Sequence, residues 1–399
     1  MKLNETHILI INGGSSSIKF AIYKIEDSLI QLLHGEVANI GNEHSRLSFT
    51  ETDSHQTNSI NINAADYRDA ANSLISWLEK QKNFDCITAI GHRIVHGMKH
   101  SAPEKISPAL LEELKKISAY DPEHLPEEIL LIEIFKKRYP AIPQVACFDT
   151  SFHTSMPTVA KMLPIPRKYF SMGIHRYGFH GLSYSYLMEE LYKLGGDKID
   201  KEKIILAHLG NGASLAAIKE GISVDTSMSF TPTAGIPMST RTGDLDPGIA
   251  WYLIQEEKLS AKQFNHLINH ESGLLGISET NSDMHELLML QSADHRAAEA
   301  IELFCYQTKK WIGSFAAALG ELNTLVFSGG IGENAPEIRK RICNGLQILG
   351  IELDEKRNEN NEAIISADHC RVTVRVMKTN EELMIAKLTC QVLDYSIKD

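Results

Sequence analysis

Three glycine-rich turns follow runs of buried-type residues. They are Asn12-Gly13-Gly14-Ser15-Ser16-Ser17 after residues 8–11, Gly210-Asn211-Gly212-Ala213-Ser214 after residues 204–207, and residues 328–334 after residues 324–327. Glycine lets backbone N–H groups approach an anion closely, and successive N–H groups form an anion-binding nest. One such turn is an ordinary hairpin. Three in one chain point to the phosphates of a nucleotide. There is no GxxxxGK[ST] run, which excludes a P-loop, and Gly13-Gly14 does not fit GxGxxG, which disfavours a dinucleotide. The third turn leads to Pro336, a residue suited to a first helical turn, so a helix dipole could add to the nest.

Other polar groups lie between glycines. In Gly91-His92-Arg93-Ile94-Val95-His96-Gly97, the Arg93 guanidinium could hold a planar carboxylate through two N–H groups. The alternative is a salt-bridged core arginine. His92, His96 and His100 have the spacing of metal ligands on a helix, but Gly91 and Gly97 argue against a helix there. Asp149 follows the apolar pair Val145-Ala146, at the expected C-terminal end of a strand, where open α/β sheets place ligand groups. His180 in Arg176-Tyr177-Gly178-Phe179-His180-Gly181 and Arg241 in Ser239-Thr240-Arg241-Thr242-Gly243-Asp244 are loop residues, which favours a site over a structural role.

The elements that must position these groups are legible from periodicity. Residues 8–11 and 18–23 predict a strand, a turn and a returning strand. Residues 204–207 and 215–219 repeat that design, with Asn12 and Asn211, and Ser15 and Ser214, each 199 positions apart. The repeat predicts a duplicated, two-lobed α/β protein. Helical spacing covers residues 66–81, 108–117, 126–138, 182–194, 246–257 and 293–319, the last stopping at Gly320. Asn380-Glu381-Glu382 opens a final helix with a cap and first-turn carboxylates. The polar stretch 48–63 predicts an exposed hairpin or loop.

Composition bounds the class. The 399 residues are 43% hydrophobic and 23% charged, and carry a net charge of −11. This is ordinary globular composition, and a poor match for a nucleic-acid phosphate backbone. The six cysteines, without a CxxC pair, predict free thiols in a reducing compartment. No apolar run approaches a membrane span, and the N-terminus lacks a signal-peptide core, so a cytoplasmic location is expected.

The chain resembles the acetate kinase (acetokinase) family. The resemblance rests on INGGSSSIKF (11–20), GHRIVHG (91–97), FDTSFHTSMP (148–157), YGFHGLSY (177–184), HLGNGAS (208–214), FTPTAGIPMSTRTGD (230–244), SGGIGENAPEIR (328–339) and TNEELMIA (379–386). It implies the fold of the acetate and sugar kinase, Hsp70 and actin superfamily: two ribonuclease-H-like lobes, each a βββαβα-type core, closing over a nucleotide. The lobes are expected at 1–150, joined by 382–399, and at 151–381. Family members are typically homodimers. The implied reaction is reversible ATP-dependent phosphorylation of acetate, or of propionate or another short carboxylate, to an acyl phosphate.

The resemblance also implies roles. Asp149, His180 and Arg241 would be catalytic. Arg93 would hold the carboxylate, and Val95, Phe179 and Pro232 would form a small apolar pocket for the acyl group. Ser15, Ser17 and Lys19 would lie near the phosphates. His208, Leu209, Gly210, Asn211 and Gly212, with Gly330, Ile331, Gly332, Glu333 and Asn334, would contact ATP. Asp283, Met284 and His285 would lie near the adenosine. Asn12 and Glu381 would help place Mg²⁺, with Mn²⁺ a possible substitute. The types suit the chemistry, because a carboxylate is already ionised at neutral pH and needs no general base. Catalysis must then come from positioning and from offsetting charge on the phosphoryl group. A sugar kinase would need a base and a polar hydroxyl pocket, and an ATP-binding chaperone-like module would make no acyl phosphate. The chain departs from the family at Glu123, where a pocket leucine is expected, at Met98, where glycine is usual, and at His285, where arginine is common.

Overall fold

The structure is a computed structural model that describes residues 5–14, 17–41, 44–52 and 56–397. The chain divides into two compact units, Met1–Ser151 with Asn380–Asp399, and Phe152–Thr379.

The first unit is built on strands β1 (His7–Gly13), β2 (Ile18–Ile25), β3 (Leu29–Ala38), β4 (Arg46–Glu51), β5 (Thr57–Asn61), β6 (Ile87–Ile94), β7 (Glu104–Lys105) and β8 (Gln144–Phe148). Their order is β5-β4-β3-β2-β1-β6-β8-β7. β1 runs antiparallel to β2 and parallel to β6, which is parallel to β8. All seven residues of β1 are buried. A strand covered on both faces must be apolar throughout, which is why residues 8–11 read as a continuous run rather than an alternation. Leu9 and Ile11 join a core with Phe20, Leu74 and Phe135, which brings in the helices Tyr67–Leu78 and Leu125–Arg138. The helix Glu381–Val392 packs on β1, β6 and β8. The polar stretch 48–63 supplies the hairpin β4–β5, which extends the sheet.

The second unit is built on β9 (Lys203–Leu209), β10 (Ala213–Lys219), β11 (Ile222–Thr226), β12 (Thr324–Ser328) and β13 (Thr373–Val376), in the order β11-β10-β9-β12-β13. β9, β10 and β11 are antiparallel neighbours, and β9, β12 and β13 are parallel ones. Order and direction match β3-β2-β1-β6-β8. Each unit therefore holds one ribonuclease-H-like sheet, and the duplication read from the hairpins is a property of both.

The residue-level match of the two hairpins is looser. Asn12 lies within β1, paired with Lys19, whereas Asn211 lies in the turn between the paired residues Leu209 and Ala213. Residues 14–17 separate the paired Gly13 and Ile18, but only residues 210–212 separate the second pair. With Asn12 set on Asn211, the first turn falls on positions 213–216, so the second turn starts three residues earlier and the two asparagines are not equivalent. The third glycine segment also differs from expectation. Gly329–Asn334 is a short helix rather than a loop, followed by a second helix, Pro336–Cys343.

Candidate active site

In the first unit, parallel strands deliver polar groups to one sheet edge. β6 and β8 pair Arg93 with Cys147 and Ile94 with Phe148, and the Asp149 N–H donates to the Ile94 carbonyl at 2.9 Å. This register sets the Arg93 side chain beside Asp149. Arg93 Nε and Nη2 donate to Asp149 Oδ2 at 3.0 and 2.6 Å, and Nη1 donates to the Gly13 carbonyl at 3.3 Å. Asp149 is fully buried. Burial opposes the Arg93 charge, but the carboxylates of Asp149, Glu381 and Glu128 outweigh it and push the guanidinium above its usual range. The sequence left open a carboxylate-holding or a salt-bridged Arg93. The ion pair is present, yet it takes two of the five N–H groups and the Gly13 carbonyl a third, which leaves donors for a second planar anion.

Glu128 is the residue that sequence reading passed over. It lies in the helix Leu125–Arg138 and is 2% exposed. Its two oxygens accept from the Val95 N–H at 3.1 and 3.0 Å. Burial, opposed by Arg93, raises its carboxyl well above the usual range. Its only sequence signal was a carboxylate on the apolar side of a periodic segment. Val95 itself is buried, and Glu123 is half-buried, with its charge acting on Glu127.

Asn12 Nδ2 donates to Glu381 Oε2 at 3.2 Å and to Glu382 Oε1 at 3.0 Å. Asn380 caps the helix that carries both glutamates by accepting from the Leu383 N–H. A carboxamide and carboxylates are hard oxygen donors of the kind Mg²⁺ takes, so these residues fit a divalent ion. Glu382 was a further omission. Lys19 is exposed on β2, Ser17 is half-buried, and Ser15 lies outside the described residues. The three spaced histidines do not form a cluster. His92 contacts Gln144 Oε1, His96 Nδ1 accepts from the Met98 N–H, and His100 meets Glu104 and Glu113.

In the second unit, the turn 210–212 joins β9 to β10. His180 precedes the helix Gly181–Gly195 in a left-handed conformation, φ 59°, and its side chain makes no capping bond to that helix. Its Nδ1 contacts Ser214 Oγ at 2.9 Å, and its ring lies 4.4 Å from that of His208. His208 Nδ1 contacts Ser183 Oγ at 2.8 Å. Asn211 holds the loop that carries Arg241. Its carbonyl accepts from the Ser239 N–H at 3.1 Å, and its Oδ1 from Ser239 Oγ at 3.2 Å. Arg241 Nη1 donates to the Pro232 carbonyl at 3.3 Å. A Cβ at Gly273, φ +60°, would lie 2.1 Å from the Met238 carbonyl and 2.7 Å from that of Arg241, so only glycine lets this loop close. Phe179 and Pro232 are buried, and Leu209 is a core residue.

Gly330 and Asn334 are exposed, Ile331 and Glu333 half-buried, and Gly332 buried. The Glu333 carboxylate accepts from the N–H groups of Gly329 and Thr379, and Asn334 Nδ2 donates to the Gly330 carbonyl. Behind this short helix lies Arg339, wholly buried. It donates to the carbonyls of Gly332, Glu333 and Asn358 and to the side-chain oxygens of Asn358 and Asn361. Burial without a carboxylate partner pulls its guanidinium down to about 10. Asp283 caps the helix Met284–Leu290 by accepting from the Glu286 N–H, Met284 is buried in the core, and His285 is exposed.

Two sheets of the same order, each presenting glycine turns at strand ends, define the two-lobed class shared by acetate and sugar kinases, Hsp70 and actin. Residues 7–387 match the model of the acetokinase family. An acetate kinase of Carboxydothermus hydrogenoformans is 41% identical over 97% of this chain and 99% of its own. A propionate kinase structure from Francisella tularensis superposes with a TM-score of 0.90 at 37% identity, covering 97% of this chain and all of its own. The acetate kinase structure of Porphyromonas gingivalis does so at 0.86 and 35%, with the same coverage. The chain belongs to the acetokinase family.

Proposed function

We propose that this chain is a short-chain carboxylate kinase, with acetate the leading substrate, that transfers the γ-phosphoryl group of ATP directly to the carboxylate. Family membership supports the reaction class. The Arg93–Asp149 pair is the observation that carries the substrate reading, because it fixes a guanidinium with spare N–H groups at the ends of parallel strands.

A carboxylate oxygen attacks phosphorus as the bond to the ADP oxygen breaks, and the reverse reaction retraces the same path. Arg93 orients the carboxylate. Asp149 orients Arg93 and takes no proton, since none need be removed from an ionised acid. His180 and Arg241 offset charge on the transferring oxygens. The turn 210–212 and His208 cradle the phosphates, as do Ser17 and Lys19. Gly330 to Asn334 and Asp283 to His285 serve the nucleotide. Val95, Phe179 and Pro232 supply apolar surface to the acyl group. Asn12 and Glu381 would hold Mg²⁺, which when bound neutralises phosphate charge. The described cysteines are unpaired, which supports a reducing compartment, the cytoplasm.

The test is hydroxamate trapping of acyl phosphate with Mg-ATP across formate, acetate, propionate and butyrate. We expect kcat/KM to peak at acetate. A peak at propionate would reassign the acid and leave the class intact. No trapped product with any acid would refute the class.

A homodimer belongs to the same reading. The helix Pro247–Gln255 leaves Ile249, Trp251 and Tyr252 exposed, with Trp251 at 69%. A patch of this kind suits a protein interface. Sedimentation should give a dimer for the native chain and a lighter species for Trp251→Asp; an unchanged mass would place the interface elsewhere.

A further inference from the structure

His180 is held from behind by a chain of hydroxyls that no part of the reaction uses. Its Nδ1 lies 2.9 Å from Ser214 Oγ, which lies 2.5 Å from Tyr184 OH. Ser214 and Tyr184 are both wholly buried, and His180 is 9% exposed. The three come from different places in the unit. His180 is the left-handed residue before a helix, Tyr184 lies one turn into that helix, and Ser214 lies on β10. The Tyr184 N–H also donates to the His180 carbonyl at 3.0 Å, which fixes the two residues to each other. On the other edge of the ring, a Cβ built at Gly212 would lie 3.1 Å from His180 Nε2. The ring thus turns Nδ1 to the serine and Nε2 to the glycine turn.

We propose that Tyr184 and Ser214 are positioning residues that lock His180 in the Nε2–H tautomer, so that the neutral ring presents an N–H donor to phosphoryl oxygen at the turn 210–212. The proposal rests on the reading of His180 given under Proposed function. Its physical basis is the direction of the hydroxyl chain. A phenol is a far stronger acid than an alkyl hydroxyl, so Tyr184 donates to Ser214, and the Ser214 proton is directed at Nδ1. A neutral imidazole carries one N–H, so once Nδ1 accepts, the proton sits on Nε2. The opposite tautomer would turn a lone pair toward the phosphoryl oxygens and repel them. His208 shows the same plan 4.4 Å away. Its Nδ1 meets Ser183 Oγ at 2.8 Å, and Ser183 Oγ meets Thr379 Oγ1 at 2.8 Å.

The test is long-range ¹H–¹⁵N NMR of the full chain with ¹⁵N-labelled histidine, the His180 signals being assigned by their loss in His180→Gln. The native ring should show an unprotonated Nδ1 and a protonated Nε2. Ser214→Ala, which removes one oxygen, should convert this to a tautomer mixture and lower kcat by about 10-fold to 100-fold with little change in KM for the carboxylate. Tyr184→Phe, which keeps the ring packing and the serine, should do the same to a smaller degree. A protonated Nδ1 in the native protein, or an unmoved tautomer in both variants, would overturn the proposal. The expected tautomer together with an unimpaired His180→Gln enzyme would instead leave the relay standing and remove His180 from the reaction.

Discussion

At the residue scale, the informative groups are charges that burial cannot tolerate alone. Asp149 is held by Arg93, and Arg93 in turn by three carboxylates. Truncating one member of a buried pair leaves the other uncompensated, at a cost of about 3–5 kcal/mol. Arg93→Lys keeps a positive charge but loses the planar fork. We expect it to raise KM for the carboxylate by about 10-fold or more while KM for ATP stays nearly constant, since a good bidentate contact is worth over 1.4 kcal/mol. Equal rises in both constants would show that Arg93 supports the fold rather than the substrate. Arg93 and Asp149 were legible because their types, their glycine or strand-end setting and a family motif agreed. Glu128 was not, since a glutamate in a helix is usually solvated and nothing local says that this one turns inward to the Val95 N–H.

At the element scale, the final helix Glu381–Val392 ties the glutamates beside Asn12 to the sheet. It approaches β6 so closely at Gly91 that a Cβ there would lie 2.4 Å from Thr389 Oγ1 and 2.8 Å from Ile385 Cγ2. Gly91→Ala must push the helix outward, and overpacking of this kind costs about 1–3 kcal/mol. We expect a lower urea midpoint and a raised Mg²⁺ requirement in the same variant. A midpoint within error of the native one would mean that the helix shifts without cost. The short helix Gly329–Asn334 is a second case. Its glycines read as a loop, because glycine disfavours helix. Arg339, ten residues beyond Gly329, holds the carbonyls of Gly332 and Glu333 and makes the helical turn the better-satisfied state.

At the scale of the whole molecule, each unit carries a buried histidine that prefers to stay neutral. Burial pulls His92 in the first unit and His153 in the second from 6.5 down to about 4. In the unfolded chain both take a proton near pH 6.5, while the folded chain resists until about pH 4. Their stabilising contribution is therefore complete above pH 6.5 and drains away as pH falls toward 4. Chemical denaturation from pH 7 to pH 5 should show falling stability. His92→Gln, which can still bond to Gln144, should flatten that fall. An equally steep fall in the variant would assign the loss to His153 rather than to His92.

The amino-acid sequence by itself determined the two duplicated sheets, most helix positions, the free thiols and the family. These follow from periodicity and motif order, which are local or repeated along the chain. It also named Arg93, Asp149, His180 and Arg241 as candidates, because their side chains are functional types at glycine-flanked, strand-end or loop positions. Only the tertiary structure decided what stands behind them. Glu128 lies 33 positions from Val95, Ser214 34 from His180, and Glu382 370 from Asn12. Buried polar groups must find partners wherever the fold brings an acceptor or donor within reach. That partner is set by sheet register and helix packing, and no spacing along the chain records it.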